Sequence, residues 1–270
     1  MQDGYVGDVG DFGKYLLLWN ICSPADSDKK LKLGVNWYKV KNDGSYGKHI
    51  RYLRKDNFKL EECCNPKSKE LYNKIQTLMF RNLNDEILSK LKNNPSQLND
   101  DEWAQISENK KIEEISKREI LPKGTVFYDK ELQNTDRGDW VANGFEQLKE
   151  CDVIFFDPDN GLKDDDGSNS VKHIYYHELG NNADKSLIIY HHATRKKIKE
   201  QAEEIKNKLS KKFDKNGDEI RALWYHRGTA RLFFIIPNGT HKDIVTERID
   251  RFLKNFENKK SNKEKHFERI

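Results

Sequence analysis

The chain has 270 residues, of which 35% are hydrophobic and 35% are charged, and its net charge is +4 at pH 7. This length accommodates one large domain, or one domain that carries an insertion. The apolar residues cluster in short runs, which excludes wholesale disorder, and no run approaches the roughly 20 residues that span a bilayer. The small positive charge permits a nucleic-acid partner without requiring one.

The cysteines and the opening segment favour a cytoplasmic protein. No two cysteines have the C-x-x-C spacing of a zinc site, and the adjacent Cys63 and Cys64 would not readily bond each other, so we expect reduced thiols. The first residues are polar and include Asp3 and Asp8, unlike a signal peptide. We therefore expect a cytoplasmic location without a membrane partner, while the sequence leaves the oligomeric state open.

The predicted elements alternate between strands and helices. A Gly-rich loop over Tyr5–Lys14 precedes a buried helix at Tyr15–Ile21, for which Asp11 is the expected N-cap. Further along, β-branched, aromatic and apolar runs predict strands, and amphipathic periodicity predicts helices. In chain order these are strand Leu31–Val40, strand Gly124–Asp129, helix Trp140–Lys149, strand Val153–Phe156, strand Ser186–His191, helix Arg195–Phe213, strand Ile220–His226, strand Arg231–Pro237 and helix Asp243–Phe256.

This alternation predicts an α/β fold with a mostly parallel, Rossmann-like sheet and a closing antiparallel hairpin. Between the first two strands, apolar residues such as Leu71, Ile75 and Leu78 recur at helical spacing, which predicts a helical insertion. We therefore divide the chain into a Rossmann-like domain (1–56 and 121–257), a helical insertion (57–120) and a charged tail (258–270) that we expect to be frayed.

The clearest candidate site follows the strand Val153–Phe156. This strand is wholly apolar, as expected for a strand buried on both faces of a parallel sheet. Asp157, Asp159 and Asn160 come directly after it, at the edge where ligands of open α/β sheets lie. An ordinary turn contains the same residue types. Burying two carboxylates at the end of an apolar strand, however, costs free energy unless they are paired or serve a function. We therefore predict that these three polar residues are catalytic.

A second candidate is Tyr190-His191-His192, at the end of the next strand. Adjacent strand residues point to opposite faces, so at most one histidine is expected to reach the cleft. We predict a catalytic role for His191, because a neutral imidazole there could bind substrate or act as a base near pH 7. A histidine that caps the following helix is an equally compatible interpretation.

The opening loop is a third candidate. Its glycines would let backbone N–H groups approach a ligand in front of a helix N-terminus, and Lys14 could hold an anion or a carboxylate. The loop is neither a P-loop nor a G-x-G-x-x-G motif, and a plain structured turn remains open as an alternative. Asp43, after the first strand, is a weaker loop candidate.

In these three candidate segments the chain resembles the bacterial large-subunit rRNA adenine-N6 methyltransferases, which have a class I Rossmann-like fold. Members of that family open with a tyrosine, a Gly-Asn-x-Ala-Asp stretch and a lysine before a buried helix, and Tyr5, Gly10, Asp11 and Lys14 look like distant counterparts. Their catalytic strand ends in Asp-Pro-Pro-Tyr, whereas this chain has Asp157-Pro158-Asp159-Asn160, with Asp and Asn in place of the second proline and the tyrosine. The family's second proline and tyrosine cradle a flipped adenine, so this departure concerns the target base.

Three sequence segments also resemble those of a widespread uncharacterised bacterial family. They are Tyr5–Lys14, Asp157–Leu162 and Tyr190–His192.

The resemblance to the methyltransferases covers most of the chain as an order of secondary-structure elements. It includes the helical insertion after the first strand and the basic helix after the strand that ends at Tyr190.

The resemblance implies S-adenosylmethionine as cofactor and a nucleic acid or nucleotide as methyl acceptor. Asp157 would accept hydrogen bonds from the target amine, and Lys14 would act beside it as a further catalytic residue. Residues of the opening loop, the first strand end and the loop after it would bind the cofactor. These cofactor-binding candidates are Asp8, Gly10, Asp11, Asn36, Tyr38 and Asp43.

Two other functions remain open from the residues alone. A metal-dependent phosphodiester or nucleotide hydrolase would hold Mg²⁺ or Mn²⁺ on Asp157 and Asp159, with help from Asp164–Asp166 or a histidine in the cleft. A non-enzymatic scaffold would bind a nucleotide or a protein partner. We rank the methyltransferase-like enzyme first and assign no resident metal ligands.

Overall fold

The computed structural model describes residues 1–24, 29–44, 47, 49–53, 66–133, 136–180, 184–257 and 266–270. The helices in these ranges are α1 (Val9–Cys22), α2 (Pro66–Phe80), α3 (Asp85–Asn93), α4 (Asp100–Glu108), α5 (Ile112–Lys117), α6 (Arg137–Gln147), α7 (Ile198–Phe213) and α8 (Lys242–Glu257). The strands are β1 (Leu33–Asn36), β2 (Val126–Tyr128), β3 (Val153–Phe156), β4 (Gly161–Lys163), β5 (His173–Tyr175), β6 (Ser186–His192), β7 (Arg221–Tyr225), β8 (Arg231–Ile236) and β9 (Phe267–Arg269).

Seven of these strands form the central sheet, in the order β2-β1-β3-β6-β8-β7-β9. The neighbours among β2, β1, β3 and β6 are parallel, so the carboxyl ends of these strands meet at one edge. Strand β8 is antiparallel to both β6 and β7, and β9 is antiparallel to β7. Strands β4 and β5 pair with each other in parallel, outside the central sheet. The predicted α/β fold with a Rossmann-like sheet and an antiparallel hairpin is confirmed.

Helices cover both faces of the sheet, because successive strand side chains point to opposite faces. In β3, Val153 and Phe155 pack into the cluster that contains α1 and α8. Ile154 and Phe156 pack into the cluster on the opposite face, with α6 and α7. The result is a three-layer arrangement of helix, sheet and helix, in which β3 is buried along its whole length.

The helices between β1 and β2 pack against α1. Leu71, Ile75 and Met79 of α2 belong to the same hydrophobic cluster as Phe12 and Leu16 of α1. The insertion predicted from helical periodicity is therefore helical over the four helices α2–α5, and it shares a core with the face of the sheet that α1 covers. Its predicted first residues, 57–65, lie outside the described residues.

Helix α1 begins earlier than the sequence suggests. It starts at Val9, and its N-cap is Asp8, whose side chain accepts a hydrogen bond from the Gly10 amide at 2.7 Å. The predicted N-cap, Asp11, is wrong because that residue already lies in the first helical turn, where its carboxylate accepts the Gly7 amide at 3.1 Å.

Three short strands are absent from the sequence prediction. Strands β4, β5 and β9 have three residues each, which is too short for an alternating pattern to be recognised. The last of them lies in the segment for which we expect a frayed tail. That expectation is wrong for 266–270, because Phe267 is buried beside α8 and pairs with Tyr225 of β7, while 258–265 lie outside the described residues.

None of the described helices combines the length and the apolar character that crossing a bilayer requires.

Candidate functional site

A cavity of about 490 Å³ lies at the carboxyl ends of β3 and β6, next to the first turn of α1. Its walls come from the opening residues, the β3–β4 connection, the end of β6 and the start of β8. Single small-molecule sites typically measure about 300–1,000 Å³, so the cavity has room for one ligand of nucleoside-derivative size. Its position agrees with the general rule that open α/β sheets bind ligands beyond their strand ends.

A buried lysine between two buried carboxylates forms the floor of the cavity. The Lys14 ammonium is 2.9 Å from Asp157 Oδ2 and 3.1 Å from Asp11 Oδ1, and it lies 4.6 Å from the centre of the Tyr190 ring. The side chains of Lys14, Asp11 and Asp157 are 8%, 2% and 1% exposed. This near-complete burial makes the three charges depend on one another.

The charge states of this triad follow from burial and from the pairing. Burial alone would lower the pKa of Lys14, but the carboxylates of Asp157 and Asp11 outweigh it and hold that pKa above its usual value. Burial raises the pKa of Asp11, and the lysine opposes this only in part. Lys14 is therefore a permanent cation that orients Asp157, rather than a general base.

A second ion pair stands beside the triad. Asp8 Oδ1 accepts the α1 amide of Gly10 and lies 3.1 Å from Nη2 of Arg231 at the start of β8. The other terminal nitrogen of Arg231 donates to the carbonyl oxygens of Arg227 and Thr229, at 2.8 and 2.9 Å. A Cβ atom on Gly10 would lie 2.4 Å from this guanidinium group, so only glycine leaves room for the pair.

The opening residues cover the carboxyl end of β1. The Met1 amino group donates to the carbonyl oxygens of Trp37 and Tyr38, at 2.8 and 2.7 Å, and lies 3.2 Å from Asp159 Oδ1. Gln2 donates to Asp159 Oδ2 at 2.7 Å. These contacts hold Asp159 at the cavity wall and separate the β1 strand end from the cavity.

Seven of the eleven predicted site residues line the cavity, and they come from two distant parts of the sequence. The opening loop brings four of them and the segment after β3 brings three. They are Asp8, Gly10, Asp11, Lys14, Asp157, Asp159 and Asn160.

Three of the predicted cofactor-binding residues lie elsewhere. Asn36 is buried, and its side-chain oxygen accepts the Tyr38 amide at 3.1 Å. The Tyr38 ring is buried edge-on against Trp140, with 4.8 Å between ring centres. Asp43 pairs with Lys172 at 2.9 Å, and since Lys172 lines the cavity, Asp43 stands behind its rim.

His191 also lies outside the cavity, whereas His192 lines it. His191 Nδ1 accepts the Leu162 amide at 3.1 Å, and burial lowers the pKa of the imidazole to about 4. Tyr190 and His192 are two residues apart and therefore share the opposite face of β6, where the Tyr190 hydroxyl is 3.3 Å from His192 Nδ1. The alternation of side chains along β6 thus decides which of the two histidines reaches the cavity.

Arg231 is the main lining residue that sequence reasoning missed. Its partner Asp8 is 223 positions away, and no local pattern marks the two as neighbours. Lys172 and His49 likewise come from loops without a recognisable motif. Tyr190 and His192, in contrast, belong to the second candidate segment predicted from the sequence, Tyr190–His192.

The acidic residues of the site are engaged by cations rather than grouped for a metal ion. Across the described ranges, no three His, Cys, Asp or Glu side chains are arranged to hold a metal. The acidic run considered for the hydrolase alternative is exposed, with Asp164 2.6 Å from Lys208 and Asp166 2.8 Å from Lys163.

The chain matches no protein-family model and no curated protein sequence.

Proposed function

We propose that the chain is a cytoplasmic, S-adenosylmethionine-dependent methyltransferase-like enzyme that acts on a nucleic acid or a nucleotide. The observation that carries the proposal is the placement of Asp157 directly after β3, with its carboxylate at the cavity and paired with Lys14 at 2.9 Å. A carboxylate held in this way can accept a hydrogen bond from an N–H group of the acceptor. It would also stabilise the positive charge that develops on a nitrogen during methyl transfer.

The charge pattern of the cavity supports this cofactor. Carboxylates of Asp8, Asp11 and Asp159 line it together with the cations Arg231 and Lys172. S-adenosylmethionine carries an ammonium, a carboxylate and a sulfonium, and when bound it supplies an electrophilic methyl group. Walls that present both signs of charge suit such a ligand better than they suit a polyphosphate, which would meet several carboxylates.

A cytoplasmic location is consistent with the described cysteines, because Cys22 and Cys151 are free thiols and both are buried.

Calorimetric titration with S-adenosylmethionine and with S-adenosylhomocysteine tests the proposal. We expect the wild-type protein to bind both, and to transfer a labelled methyl group to RNA, DNA or a nucleotide mixture. Asp157→Asn is expected to slow transfer at least about 100-fold, because the acceptor loses its charged partner. Asp164→Asn, on the exposed loop, is the matched control and leaves binding and transfer unchanged.

Two results would contradict the proposal. One is a wild-type protein that binds neither compound. The other is hydrolysis of nucleic acid or nucleotide that depends on Mg²⁺ or Mn²⁺ and is lost in Asp157→Asn, which would identify the hydrolase instead.

A further inference from the structure

A lysine of the helical insertion is buried behind the cavity. Lys110 lies between α4 and α5 and is only 1% exposed. Among the described residues, no carboxylate lies within ion-pair distance of its ammonium group, and burial lowers the pKa of Lys110 to about 8. A buried, unpaired charge of this kind opposes folding at neutral pH, so its presence calls for a reason other than stability.

The Lys110 ammonium joins the two loops that flank the opening of the cavity. It donates to the carbonyl oxygen of Gly4, at 3.3 Å, and to the carbonyl oxygen of Gly47. The Gly47 amide also donates to Gly4, at 2.9 Å. Two residues after the lysine, the Ile112 amide donates to Asp3 Oδ1 at 2.9 Å. The α4–α5 junction therefore holds both loops.

Gly47 connects these contacts to the charged groups of the site. It lines the cavity, and a Cβ atom on it would lie 2.8 Å from Asp8 Oδ2. A displacement of Gly47 therefore changes the space around the Asp8 carboxylate, which in turn pairs with Arg231. Lys110 does not itself line the cavity.

We propose that Lys110 is a positioning residue through which the helical insertion sets the shape of the ligand cavity. It acts on the ligand indirectly, by fixing Gly47 against Asp8 and by tying Gly47 to Gly4. Loss of the lysine then weakens ligand binding although the protein stays folded. The ligand-binding arm of the proposal rests on the proposed function, whereas the effect on the loops does not.

The test compares Lys110→Met with Lys117→Met, a lysine of the same insertion whose side chain is 63% exposed. S-adenosylhomocysteine affinity is measured by calorimetry, thermal stability by melting, and local opening by hydrogen exchange in peptides that contain Gly47 and Ile112. For Lys110→Met we expect about 2- to 30-fold weaker binding, faster exchange in these peptides and an unchanged or higher melting temperature. Lys117→Met should match the wild type in all three.

The outcomes separate the two proposals. If wild type binds no S-adenosylhomocysteine, the proposed function fails, and exchange at Gly47 and Ile112 still decides the role of Lys110. Unchanged exchange and affinity in Lys110→Met would overturn the positioning role. A general loss of stability in Lys110→Met would assign Lys110 a purely structural role. The second variant, Lys110→Gln, retains N–H donors, and if both variants fail to fold, the role of Lys110 is likewise purely structural.

Discussion

Removal of the Lys14 charge is the sharpest test of the buried triad. In Lys14→Met, the carboxylates of Asp11 and Asp157 lose an ammonium that lies 3.1 and 2.9 Å away. Methionine fills a similar volume, so the main change is electrostatic. The two acidic side chains are 2% and 1% exposed and would face each other with little access to water.

The expected loss of stability is large. At an effective dielectric constant of about 20, each carboxylate attracts the ammonium by roughly 5 kcal/mol at these distances. The desolvation of all three groups offsets much of this attraction, and breaking a buried pair by removing one partner typically costs about 3–5 kcal/mol. We therefore expect the free energy of unfolding of Lys14→Met to fall by about 3–5 kcal/mol at pH 7.

The pH dependence gives the test a second readout. Burial already raises the pKa of Asp11, and without Lys14 it should rise further. A carboxyl group with a raised pKa binds protons more tightly in the folded state, so its stabilising contribution is present at low pH and is lost as the pH rises. The difference between variant and wild type should thus be smaller at pH 5 than at pH 7.

Urea denaturation at both pH values measures this difference. Lys149→Met is the matched control, because that lysine is 58% exposed and pairs at the surface with Glu146 of α6. Its free energy of unfolding should change by no more than about 0.5 kcal/mol. A loss below about 1 kcal/mol for Lys14→Met, equal at both pH values, would refute the interdependent triad.

Three further substitutions test the packing of α1, the first turn of α6 and the protonation state of His191. Gly13→Ala should lower the free energy of unfolding by about 1–3 kcal/mol, because the new Cβ would lie 2.5 Å from the Tyr225 ring. Gly138→Ala, where no atom lies within 4 Å, should stabilise α6 by up to about 1 kcal/mol in the same denaturation assay. Burial lowers the pKa of His191 to about 4, so on acidification the unfolded state takes up this proton at a higher pH than the folded state does. The free energy of unfolding should therefore fall by up to about 3 kcal/mol as the pH drops from about 6.5 to 4. His191→Gln should remove this part of the acid sensitivity in pH-dependent melting, and an unchanged pH profile would contradict a buried neutral imidazole.

The fold could be predicted because its central strands lie in apolar or β-branched runs that alternate with periodic helices. Strand β3 has the predicted bounds, and parallel pairing then carries Asp157 to the edge where ligands bind. The three-residue strands β4, β5 and β9 carry no such signal. Phe267 is buried through contacts with distant elements, although the segment around it is strongly charged.

The site was only partly predictable, because much of it depends on long-range contacts. Asp8 and Arg231 meet only after the sheet has formed, and Lys110 resembles any solvated lysine of a charged insertion. The face of β6 that meets the cavity is fixed by packing against α1, so the sequence could not choose between His191 and His192.

The hydrophobic cluster shared by α1 and α2 limits how the chain can be shortened. Excision of the helices between β1 and β2 would leave Phe12 and Leu16, both now buried, facing water on one side of α1. The same helix presents Asp11 and Lys14 to the cavity. A shortened chain that lacks these helices would therefore lose the packing that supports the cavity-lining helix α1. Insertions and deletions should be tolerated better in the connections between the inserted helices.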